Sequence, residues 1–112
     1  MLTARIAVIA SGGGTNLQAL IDAQGRGELK SGSIALVIAD KAGIGASQRA
    51  GKAGIPCAVI VRKEPEFEEK VLAVLAEYNI DMVILAGFLG IFSGSFIQKF
   101  HGPIINIHPA LI

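Results

Sequence analysis

Residues 6–18 run Ile6-Ala7-Val8-Ile9-Ala10-Ser11-Gly12-Gly13-Gly14-Thr15-Asn16-Leu17-Gln18. An apolar run with β-branched residues suits a strand covered on both faces. The three glycines that follow tolerate positive φ and let a ligand approach bare backbone. Thr15 or Asn16 can cap a helix whose apolar face begins at Leu17, Leu20 and Ile21, an i, i+3, i+4 set. A helix start presents N–H groups without intrahelical partners and about half a positive charge, which favours a phosphate or another anion. The other reading is a tight strand-to-helix turn with no ligand.

The remaining chain repeats the strand–helix alternation. Expected strands cover 4–10, 33–39, 57–61, 81–86 and 104–107. Expected helices cover 16–24, 44–53, a segment opened by Pro65 that runs to 78, and a short one capped by Ser93 or Ser95 through Phe100. Gly25-Arg26-Gly27 stops the first helix and Gly54 the second. Glu66, Glu68 and Glu69 load one helix start with negative charge, read as a solvated face. His101-Gly102-Pro103 is a turn, with His101 structural or exposed. Short connections between alternating elements imply a parallel, Rossmann-like α/β sheet with helices on both faces. Ligands in such folds sit beyond the carboxyl ends of the strands. Those ends carry residues 11–16, Asp40, residues 62–64, 87–90 and 106–108.

Composition narrows the function classes. The sequence is 52% apolar with mean hydropathy +0.58, enough for a sizeable core in 112 residues. No apolar run reaches the roughly 20 residues of a membrane span. Ten basic and nine acidic residues are intermixed, so there is no basic stripe for nucleic acid. Cys57 is the single cysteine and reads as a small buried thiol. Together these features fit a cytoplasmic protein.

Two stretches can carry chemistry. In extended backbone Asn106 and His108 share a side, because side chains alternate with period two. An amide can hold a carbonyl oxygen as negative charge develops, and an imidazole can move a proton near neutral pH. The pair suits acyl transfer; a hydrogen-bonded structural histidine is the alternative. Asp40 could receive a ribose hydroxyl or simply form a turn. The glycine loop lacks the last glycine of the dinucleotide fingerprint and the lysine of a triphosphate loop.

With both stretches read, the sequence closely resembles the phosphoribosylglycinamide formyltransferases, folate-dependent enzymes of purine synthesis. Residues 11–18 resemble that family's phosphate loop. Ala86-Gly87-Phe88-Leu89 resembles its folate loop, and Asn106-Ile107-His108-Pro109-Ala110-Leu111 its active-site strand. The sister formyltransferases acting on methionyl-tRNA share the Asn-x-His strand but not this glycine loop.

The resemblance implies that residues 1–112 form a formyltransferase N-terminal Rossmann-like domain. It implies glycinamide ribonucleotide as acceptor and 10-formyltetrahydrofolate as donor. Backbone at Gly13, Gly14, Thr15 and Asn16 would hold the ribonucleotide phosphate. Phe88, Leu89, Gly90, Ile91 and Asn106 would line the folate pocket. Asn106 and His108 would be catalytic, stabilising the tetrahedral oxyanion, with His108 also moving the proton. Neither a metal nor a covalent enzyme intermediate is implied, and the partners are small molecules.

The sequence departs from the family in three places. The family's catalytic aspartate lies beyond the Asn-x-His strand and has no counterpart here. Gly90 stands where many members carry arginine. Glu64-Pro65-Glu66 stand where many carry an arginine before the aromatic matching Phe67. The expectation is therefore the N-terminal part of a longer enzyme, with little transferase activity alone and self-association through an exposed sheet edge. Two other readings stay open: a related folate-dependent formyltransferase with another acceptor, and a non-catalytic phosphate- or dinucleotide-binding module.

Overall fold

A computed structural model describes residues 4–10, 14–29, 32–40, 45–86 and 92–107. Strands β1 (Ala4–Ala10), β2 (Gly32–Ala39), β3 (Cys57–Val59), β4 (Met82–Ala86) and β5 (Ile104–Ile107) alternate with helices α1 (Thr15–Gly25), α2 (Gly45–Lys52), α3 (Phe67–Glu77) and α4 (Gly94–Lys99). The strands form one parallel sheet in the order β3-β2-β1-β4-β5. The Rossmann-like expectation holds. The order reverses between β1 and β4, which opens the usual ligand crevice of doubly wound sheets beyond their carboxyl ends.

β1 is the central strand, and Ile6 to Ala10 are wholly buried. Its alternation divides the core. Ile6, Val8 and Ala10 pack with Leu17 of α1 and with Ala46 and Ala50 of α2. Ala7 and Ile9 pack with Val71 and Leu75 of α3 and Phe96 of α4. An apolar run therefore reads as a strand here because both of its faces are covered.

β2 contains a feature that periodicity did not reveal. Ile6 pairs with Ile34, but the next residue, Ala7, pairs with Leu36. Ala35 is the extra residue of a β-bulge. Past it the phase inverts: Ile34 faces the α1–α2 side, and so do Val37 and Ala39, while Leu36 and Ile38 face α3 and α4. The shift sets Ala39 beside Ala10, which lies beside Ala86, which lies beside Ile107.

Several helix boundaries differ from expectation. α1 is capped by neither Thr15 nor Asn16. Gly14 is the N-cap, at φ 77°, with no side-chain cap. A Cβ on Gly14 would lie 2.9 Å from Ala46 Cα, so α2 packs where a side chain would stand. The end of α1 agrees with the reading. Gly27 at φ 76° donates to Gln24 O and Glu28 donates to Ala23 O, a Schellman closure. Pro65 does not open α3; the helix starts at Phe67 after Glu66, which adopts φ 63°. β3 stops at Val59, although Ile60 N still donates to Ala39 O at 2.9 Å. Ser93 caps α4 as expected, its hydroxyl accepting from Phe96 N. Among the described residues, no helix is long and apolar enough to cross a membrane.

Candidate active site

The site is built from the carboxyl ends of β1, β4 and β5 and the start of α1. Ala10, Ala86 and Ile107 lie abreast on the three strands. Two strand spacings, about 10 Å, therefore separate the end of β1 from the end of β5. A small phosphorylated molecule can bridge that span.

At one side of the crevice α1 begins. Its first α-helical bond runs from Gln18 N to Gly14 O at 2.8 Å. The N–H groups of Thr15, Asn16 and Leu17 thus have no partner within the helix. The first turn carries no acidic residue. Thr15 is exposed and Asn16 half-buried. Arg49 of α2 adds positive charge nearby: its Nη1 donates to Gln18 Oε1 at 3.2 Å, and a Cβ on Gly14 would lie 3.2 Å from its Cδ. Gln18 in turn donates to Asp22 at 2.9 Å, which fixes the amide that receives Arg49. Arg49 was not among the residues singled out from sequence, and nothing in its spacing marks it. Only the packing of α2 on the turn brings it there.

At the other side stands Asn106, exposed on edge strand β5 and paired in register with Leu85. It shares a sheet face with Ile104, which packs against the α3–α4 core. Its amide is therefore accessible at the carboxyl end of the sheet. Gly13, Phe88, Leu89, Gly90, Ile91 and His108 lie outside the described residues. Of the expected site, Gly14, Thr15, Asn16 and Asn106 are placed, all at one end of the sheet.

The segment between β4 and α4 rejoins the described fold through an anchor. Phe92 is buried, its ring stacked on Phe96 at 4.0 Å and on Phe67 at 5.9 Å between centroids. Next to it, Glu68 accepts hydrogen bonds from Ser93 Oγ at 2.6 Å and Ser93 N at 2.8 Å. Those bonds hold the Glu68 carboxyl below its ordinary pKa, the side-chain bond contributing most. The acidic start of α3 is thus not simply a solvated face: Glu66 and Glu69 are exposed, while Glu68 ties α3 to α4.

Asp40 is buried, 6% exposed, at the end of β2. Its N–H reaches Ala10 O at 3.3 Å, which sets it beside the end of β1, at the crevice end of the sheet. Cys57 is half-buried, and desolvation raises its thiol pKa, which suits a structural thiol rather than a nucleophile. Glu64, near where the resemblance expects an arginine, is ion-paired with Lys70 at 2.5 Å, and Lys70 holds its carboxyl below the ordinary range. His101 is exposed. Among the described residues, no three His, Cys, Asp or Glu side chains converge as a metal site would require.

A doubly wound sheet with an uncapped, acid-free helix start at its switch point defines a class: α/β proteins that receive an anionic ligand beyond the strand ends. Comparison with known proteins narrows it. The formyl transferase family profile matches residues 4–112, and the chain belongs to that family. It is 47% identical over 113 residues to the trifunctional purine biosynthetic protein adenosine-3 of Homo sapiens, covering 97% of this chain and 11% of that protein. It is 41% identical over 112 residues to phosphoribosylglycinamide formyltransferase of Haemophilus influenzae, covering 96% of this chain and 52% of that one. Glycinamide ribonucleotide transformylase 1 of Geobacillus kaustophilus superposes with a TM-score of 0.87 at 36% identity, covering 99% of this chain and 61% of that structure. The chain thus spans about half the length of the Haemophilus relative and a small part of the trifunctional one.

Proposed function

We propose that this chain supplies the ribonucleotide-binding lobe of a phosphoribosylglycinamide formyltransferase. The reaction would carry a formyl group from 10-formyltetrahydrofolate to the amine of glycinamide ribonucleotide in purine synthesis, in the cytoplasm. The observation that supports it most is the in-register alignment of β1, β4 and β5. It sets the uncapped start of α1 and the Asn106 amide at one end of the sheet, about two strand spacings apart. The likeness to the Haemophilus enzyme along nearly the whole chain supports glycinamide ribonucleotide as the acceptor.

In this reading the N–H groups at Gly13, Gly14, Thr15 and Asn16 hold the phosphate, with the α1 dipole and Arg49 behind them. The substrate amine attacks the formyl carbon, and a tetrahedral centre with an oxyanion forms. Asn106 donates a hydrogen bond to that oxygen, a contact worth roughly 3–4 kcal/mol where one oxyanion donor is removed. The bond from the formyl carbon to folate N10 then breaks. The amine proton passes, by way of His108, to N10, leaving formylated ribonucleotide and tetrahydrofolate. Phe88, Leu89, Gly90 and Ile91 line the folate side. Residues 1–112 act as one N-terminal domain, with small molecules as the ligands and no metal in any step.

Calorimetric titration of the chain with glycinamide ribonucleotide tests this directly, since it reads the turn at Gly14 rather than turnover. Saturable binding that inorganic phosphate competes away supports the proposal. Absence of binding at millimolar ribonucleotide overturns it. Binding of folate without binding of this ribonucleotide would point to a formyltransferase with another acceptor. Asn106→Ala should leave ribonucleotide affinity nearly unchanged, because the amide serves the oxyanion and not the phosphate.

A further inference from the structure

A second recess lies at the far end of the sheet from Asn106. Its volume is about 530 Å³, within the ~300–1,000 Å³ range of small-molecule sites. It opens where the ends of α3 and α4 come together, just before β4 and β5 begin. Leu72, Leu75, Ile80 and Phe100 form its apolar walls. Leu75 belongs to the buried core, and the other three pack against that core. The walls are therefore fixed by the fold.

The rim has one chemical character. Asn79, Lys99 and His101 stand there, all exposed, and no lining residue bears a carboxylate. Lys99 is in neither the Arg26–Glu28 nor the Lys70–Glu64 ion pair, although its charge helps to lower the pKa of the Glu68 carboxyl. The carbonyls at the end of α3 are already used: Tyr78, Asn79 and Ile80 donate to Val74, Ala76 and Leu75. Phe100 N likewise donates to Phe96 O.

We propose that this recess binds a small amphipathic carboxylate, an aliphatic or aromatic acid. The apolar body rests on Leu72, Leu75, Ile80 and Phe100. The carboxylate meets the Lys99 ammonium at the rim, with Asn79 and His101 as further N–H donors. A neutral molecule of the same shape leaves Lys99 unused, and a cation is repelled by it. Because this opening is at the amino ends of β4 and β5, its ligand does not compete with one at α1.

The test is a titration of the 112-residue chain with octanoate, followed by amide chemical shifts. Saturable shifts are expected at Ala76, Asn79 and His101, with Thr15 and Asn16 unmoved. 1-Octanol should bind more weakly by about two- to fivefold, the range of an exposed ion pair. Lys99→Met, which keeps the apolar stem, should weaken octanoate by about the same factor and leave octanol unchanged. The proposal is overturned by octanoate shifts that do not saturate or that map elsewhere. It is equally overturned by equal affinity for octanol, by indifference to Lys99→Met, or by the same amides shifting on dilution alone, which would show a second copy in the recess.

Discussion

Glu68 of α3 and Ser93 at the head of α4 are joined by two hydrogen bonds to one carboxylate, 2.6 Å from the hydroxyl and 2.8 Å from the backbone N–H. Ser93 uses the same hydroxyl to accept from Phe96 N at 3.2 Å. A chain of three bonds thus runs from α3 into the first turn of α4. The contact is partly solvated, so its worth is modest, on the order of 1 kcal/mol. Its pH dependence is distinctive. The folded-state pKa of Glu68 is depressed, so its contribution is complete above the unfolded glutamate pKa of about 4.3 and disappears as pH falls through the lower folded value. Urea midpoints of the native chain and Glu68→Gln should differ at pH 7 and converge in acid. A gap that stays constant down to pH 3 would show that the carboxylate contributes nothing.

Gly14 has no room for a side chain and sits in a left-handed conformation besides. Gly14→Ala places a Cβ 2.9 Å from Ala46 Cα at a φ of 77°. The left-handed backbone alone costs about 1–2 kcal/mol, and the backbone contact adds to it. Thermal unfolding should report a clear loss of stability and, under the proposed function, calorimetry a parallel loss of ribonucleotide affinity, because α2 must move off the turn. Unchanged unfolding would mean that the turn adopts another conformation.

Neighbouring residues of α4 should respond in opposite ways. Phe96 is 1% exposed and stacked on Phe92, so Phe96→Ala should cost roughly 3–5 kcal/mol. Ile97 is 55% exposed, and Ile97→Ser should stay within about 0.5 kcal/mol. Chemical denaturation of the two variants side by side checks the facing of this helix. Similar losses at both would refute it.

β5 is an edge strand with Ile105 45% exposed. An unpaired edge bearing apolar side chains is a template for another strand. Sedimentation velocity should show concentration-dependent association of the chain, relieved by Ile105→Lys, since an edge lysine discourages pairing. A monomer at every concentration would count against a sticky edge.

The strands were largely legible because each is a short apolar run bounded by glycine or polar residues; β1 and β5 fall where the sequence places them. The breaks in that reading have physical causes. Ala35 is an ordinary residue whose role as a bulge depends on how β1 pairs with β2. Gly14 displaces Thr15 and Asn16 as cap because of Ala46, more than thirty positions away. Glu66 occupies positive φ without the sequence signature of glycine or asparagine, so Pro65 looked like the better helix opener. For the candidate site, Asn106 was singled out from alternation and motif, and it lies near the carboxyl end of β5. Glu68 was visible only as one of three acidic residues, because its partner Ser93 lies across the fold.

The bulge at Ala35 sets the depth of the layer beneath the first two helices. Ala39, Ala10 and Ala86 stand in a row on the α1–α2 side. Strict alternation from Ile34 would have put Ile38 under those helices and sent Ala39 to the reverse face. With the extra residue in place, the floor at the crevice end is a single methyl group high across three strands. One inserted alanine therefore governs how low the opening turn of α1 can ride over the sheet, and with it the headroom left for whatever the crevice admits.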